Sequence, residues 1–60
     1  MRVETMYYEF SHGKKPRGFG MWAFKIDGDV HFFLGAYTEV KRQAIAAAKE
    51  LGVTRIEVMP

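Results

Sequence analysis

The pair Asp27-Gly28, set between two aromatic-rich runs, constrains this chain more than any other feature. It lies within Arg17 to Tyr37, RGFGMWAFKIDGDVHFFLGAY, which holds six of the nine aromatic residues. Asp-Gly flanked by apolar alternation predicts a β-hairpin, because glycine accepts the positive φ of a tight turn. Two registers compete. A loop of Asp27 and Gly28 alone pairs Ile26 with Asp29 and puts Trp22 and Phe24 on one face with His31 and Phe33. A loop one residue longer pairs Ile26 with Val30 and gathers Trp22, Phe24, Ile26, Val30, Phe32 and Leu34 on a wholly apolar face. A one-residue slip exchanges the faces, so we let the buried set decide and expect the longer loop, although the turn chemistry argues for the shorter. The opposite face then carries Arg17, Phe19, Met21, Ala23, Lys25, His31 and Phe33.

The remaining elements read outward from the hairpin. Residues 3 to 10, VETMYYEF, alternate and are rich in aromatic residues, which predicts a first strand with Met6, Tyr8 and Phe10 on one face. Thr38 is a suitable helix N-cap, and TEVKRQAIAAAKEL predicts a helix to Leu51, closed by Gly52 in the left-handed region. Val40, Ala44, Ala47, Ala48 and Leu51 form its buried stripe, with Ile45 at the edge. Residues 54 to 59, TRIEVM, predict a last strand with Ile56 and Val58 inward. The expected fold is a single small α+β domain over residues 1–60, β-β-β-α-β. Its four-stranded sheet has order 3-2-1-4, the last strand parallel to the first, with one helix on one face.

Composition narrows the function classes. Sixty residues sit near the lower limit of independent folding, and with no cysteine no disulfide assists. Nine basic against seven acidic residues give a net charge of +2, which permits nucleic acid as a partner without requiring it. No apolar run has the length of a membrane span, and no leader pattern opens the chain, so we expect a cytoplasmic protein with no membrane partner. Ser11 precedes His12 with no acid to orient it, and Asp27 and Asp29 flank a turn glycine, the ordinary place for aspartate. His31 lacks a second histidine at ligand spacing. We expect no enzyme, no cofactor and no metal site.

The open face and the loop SHGKKPRGFG hold the candidate binding residues: Lys14, Lys15, Arg17, Phe19, Met21, Lys25, His31 and Phe33. Aromatic and basic side chains on an open sheet suit single-stranded nucleic acid, DNA or RNA, because bases stack on rings and lysines neutralise phosphate. We therefore expect a small nucleic-acid-binding module; the alternative is that the same apolar face takes a protein partner or forms a homodimer, as in a small phage- or plasmid-type accessory or inhibitor protein.

Three resemblances bear on this choice. RGFGMWAF is similar to the longer RNA-contacting motif of RNA-recognition-motif domains, matching at Arg17, Gly18, Phe19, Gly20 and Phe24. RGFGMWAFKID, FLGAYT and the alanine-rich helix resemble the plant ethylene-response-factor DNA-binding domain and the arm-binding domains of phage-type integrases. Those are three-stranded sheets backed by a helix, and the likeness runs through Arg17, Gly20, Trp22, Ala23, Ile26, Leu34, Gly35 and Tyr37. It implies DNA binding through the sheet, with Met21, Ala23, Lys25, His31 and Phe33 at the reading positions. The expected topology also resembles the first half of the ribonuclease H fold, with Glu9 and Glu57 standing for two of its acids but Gln43 and Ala44 where its helix glutamate belongs; this likeness implies no metal site.

Overall fold

Asp27 and Gly28 both adopt positive φ, 51° and 85°, in the computed structural model, which describes residues 1–60. Two successive left-handed residues are the mark of the primed hairpin turn, whose twist matches that of the strands it joins. The turn links β2 (Phe19–Ile26) to β3 (Asp29–Ala36), and Ile26 pairs with Asp29. The three-residue loop expected from the apolar pattern is therefore corrected to a loop of two. Every β3 side chain changes face as a result. Trp22, Phe24 and Ile26 are buried as expected, but Val30, Phe32 and Leu34 are exposed, and Phe33 turns inward.

The inward phase of β3 still makes a good core. Phe33 meets Phe24 edge-on with ring centroids 5.8 Å apart. Tyr37, next on the same side, packs against Trp22 at 5.0 Å and Phe24 at 6.2 Å. Gly35 leaves room between them: a Cβ there would stand 3.2 Å from a Val40 methyl carbon. Tight turn geometry together with this alternative packing outweighs the three apolar residues that the shorter loop sends to the surface.

The helix α2 spans Tyr37–Glu50, with Ala36 as its N-cap in place of the expected Thr38. Val40, Ala44 and Ala48 lie fully buried against the sheet, and Gly52 takes the expected left-handed conformation at φ 74°. Small residues let the helix approach a surface crowded with Trp22 and Phe24. Leu51, expected in the stripe, is instead exposed at the helix C-cap. Ile56 and Val58 of β4 (Arg55–Val58) point inward as expected and complete the core. Full burial of Phe24, Ile26, Val40, Ile56 and Val58 contributes roughly 1.5–3 kcal/mol each.

The amino-terminal segment departs from expectation. Only Arg2–Glu4 form a strand, β1, and Met6–His12 form a helix, α1, where the alternation predicts a strand to residue 10. Thr5 Oγ1 donates to the Glu9 carboxylate, Tyr8 stacks on His12 one turn later at 4.0 Å, and Gly13 closes the helix at φ 70° with its N–H on the Glu9 carbonyl, 2.7 Å away. Three local interactions at helical spacing override the strand preference of the aromatics. The result is an α+β domain with a four-stranded mixed sheet and two helices, one more helix than expected.

Sheet order is β1-β4-β2-β3. β1 and β4 are parallel as expected, but β4 also pairs antiparallel with β2, so it lies between β1 and β2 and the predicted order 3-2-1-4 is corrected. Because α1 intervenes, β1 and β2 are not joined by a hairpin and need not be neighbours.

Candidate interaction surface

α2 covers one face of the sheet and leaves the other open, and the strand registers determine what that open face carries. Pairing sets Phe19 opposite Ala36, Met21 opposite Leu34, Ala23 opposite Phe32 and Lys25 opposite Val30. Phe19, Met21, Val30, Phe32 and Leu34 are 77%, 63%, 46%, 68% and 65% exposed, so five large apolar side chains lie side by side in water. On the β1–β4 half, parallel pairing aligns Arg2 with Arg55 and Glu4 with Glu57. There Arg2 and Arg55 both pair with Glu4, and Arg55 also reaches Glu57 at 3.2 Å. Lys25 stands opposite Glu57 at the boundary. One half of the open face is therefore apolar and the other is a lattice of mixed charge.

The predicted site residues divide between surfaces. Phe19, Met21 and Lys25 lie on the open face as expected, and Arg17 joins Phe19 and Met21 in a cleft. His31 and Phe33 do not: the two-residue turn sends both to the helix-covered side, where Phe33 packs on the core. Lys14 and Lys15 are exposed on the loop between α1 and β2, which is pinned at its centre by buried Pro16. At its end, the Gly18 carbonyl accepts both the Tyr37 N–H at 2.9 Å and the Trp22 indole N–H at 3.2 Å.

Sequence reasoning missed Val30, Phe32 and Leu34 as surface residues, although the Asp27-Gly28 turn carried the signal that exposes them. It also missed Tyr8 and His12, which α1 brings beside Trp22; the rings of Tyr8 and Trp22 lie 5.4 Å apart. These three line, with Arg17, Phe19 and Phe32, a cleft of about 420 Å³ that has no acidic side chain on its wall. A second cleft, of about 340 Å³, opens over the charged half between Arg2, Glu4, Arg55, Glu57 and the α1 residues Met6 and Tyr7. Met6 and Phe10, four positions apart on α1, are 76% and 93% exposed.

No group of three or more histidine, aspartate or glutamate side chains is placed to hold a metal ion. No helix is long and apolar enough to cross a membrane. Burial raises the Tyr37 hydroxyl pKa above its ordinary value. No family model, curated protein or solved structure matches this chain.

Proposed function

We propose that this chain is a non-catalytic interaction module and that the open face of its sheet takes protein. The observation that carries this reading is the contiguous exposure of Phe19, Met21, Val30, Phe32 and Leu34. Ten large apolar residues are exposed on a chain whose core cluster has only nine members. Apolar patches of this relative size mark contact surfaces, and a domain this small gains stability when a partner covers one. Lys25 is the only cation that the strands themselves place on the β2–β3 half of the face, since the register that exposes Phe32 turns His31 away, and Arg17 stands beyond the strand end.

A second reading, single-stranded nucleic acid, is favoured by one observation. Arg17 stands with Phe19, Phe32, Tyr8 and His12 in the cleft without acidic walls, and Lys14 and Lys15 lie on the adjoining loop. Bases would stack on the rings and phosphates would meet the cations.

One pair of variants separates the readings. On the protein reading, Met21→Asp abolishes capture of protein by the immobilised domain from an extract of its source cells, and Lys14→Glu with Lys15→Glu leaves that capture intact. Labelled oligonucleotides then show no saturable binding at low salt. Saturable binding that weakens steeply with salt and is lost in the double glutamate variant would overturn the protein reading in favour of nucleic acid.

A further inference from the structure

The two edges of the sheet are unlike. β1 is three residues long and carries Arg2 and Glu4, the short, charged form that keeps an edge from pairing with other chains. β3 is eight residues long, contains no proline, lysine or arginine, and beyond Asp29 and His31 is entirely apolar or glycine. Asp29, beside the turn, is the only charge on that edge.

The turn determines which β3 groups are free. A two-residue turn closes with a main-chain bond between Ile26 and Asp29, so that pair is hydrogen-bonded, and hydrogen-bonded pairs then alternate along the ladder. His31, Phe33 and Gly35 therefore turn their main-chain groups toward β2. Val30, Phe32 and Leu34 turn theirs outward along the unpaired edge. These three also hold their side chains on the open face. Free main-chain donors and acceptors thus coincide with the exposed apolar side chains.

We propose that the β3 edge pairs antiparallel with the β3 edge of a second copy of this chain, about a two-fold axis beside Phe32. The pairing continues the open apolar face across both copies and rests on reading that face as a protein-binding surface. The pairing is self-complementary. Phe32 stands opposite Phe32 of the other copy, and Val30 opposite Leu34, so all three outward-facing residues form hydrogen-bonded pairs and every open-face pair is apolar. The two sheets become one of eight strands. Registers shifted by two residues either way bring fewer of the three into pairs.

The interface is small. At their observed exposures the three side chains present about 300 Å² per copy, of which edge pairing covers only the flanks turned toward the other copy. The area covered is below the standard interface size, so the dimer is weak and forms only at high protein concentration.

Amide exchange tests the pairing directly. Between dilute and millimolar protein, exchange at Val30, Phe32 and Leu34 is expected to slow several-fold, with little change on β1. A charge swap supplies the second readout. Phe32→Lys alone and Phe32→Asp alone sediment as monomers, since like charges face each other across the axis, and an equimolar mixture of the two regains the dimer. Both variants change an exposed side chain, and their circular dichroism reports whether each is folded. A wild type that stays monomeric at millimolar concentration overturns the second copy as partner. If Met21-dependent protein capture persists in that case, the face reading survives. A dimer in which these three amides exchange as they do in the monomer, or a charge-swapped mixture no more associated than either variant, overturns the edge pairing.

Discussion

Exchanging neighbours on β3 tests the hairpin register through stability. Phe33 is half-buried against the core and meets Phe24 edge-on, and Phe32, one position earlier, is 68% exposed. Truncating a fully buried phenylalanine to alanine costs about 3–5 kcal/mol; partial burial brings Phe33→Ala to about 2 kcal/mol. Phe32→Ala removes little packing and is expected within about 0.5 kcal/mol of the wild type in the monomer. A domain of this size has only about 3–9 kcal/mol in all. Phe33→Ala should therefore lower Tm by about 8–16 °C, and Phe32→Ala by no more than a few degrees. Thermal unfolding followed by circular dichroism, at concentrations low enough to keep the chain monomeric, reads both. A larger loss at Phe32 than at Phe33 would refute the two-residue register and with it the composition of the open face.

Other positions give independent checks. Gly28→Ala places a Cβ at φ 85°, in open space, and should destabilise by about 1 kcal/mol in urea unfolding through backbone strain alone. Ala44→Leu forces a larger side chain between α2 and the sheet, where Ala44 is fully buried, and should cost about 1–3 kcal/mol by the same assay. Tyr37 titrates above its unfolded pKa of about 10 because burial disfavours the phenolate, so the folded state holds the proton more tightly. Its contribution is complete below pH 10 and falls as pH rises through the folded value, and unfolding of Tyr37→Phe should lack this alkaline loss.

How much of this could be read beforehand depended on whether one signal or two acted on a segment. α2 was legible because its periodic alanines, Val40 and the glycine at position 52 all agree, and Ile56 and Val58 alternate without a rival. β3 offers two phases: Val30, Phe32 and Leu34 in one, and Asp29, His31, Phe33 and Gly35 in the other, which Tyr37 continues into α2. Periodicity favours burying the first, and the left-handed geometry of two turn residues prevailed over it. The more apolar phase of β3 therefore lies on the open face. α1 was hidden for a different reason. Seven residues with three aromatics resemble a strand in composition, and the helix shows only in the four-residue spacing of Thr5 to Glu9, Tyr8 to His12 and Glu9 to Gly13. Of the candidate site, Phe19, Met21 and Lys25 followed from β2 alone, and the β3 members failed with the register.

The place of β4 in the sheet has a consequence for how the chain acquires its structure. Arg2 pairs with Arg55, so β1 meets its neighbour only when residues more than fifty positions later are in place. Until then the hairpin and α2 can associate, but β1 has no ladder to join, and β2 exposes the flank that β4 will occupy. Such long-range pairing slows folding relative to a helical domain of equal length. A refolding chain is expected to form the hairpin early and to add β1 and β4 together in the last step. A chain truncated before Arg55 is then expected to show a protease-sensitive amino-terminal segment beside a more protected hairpin.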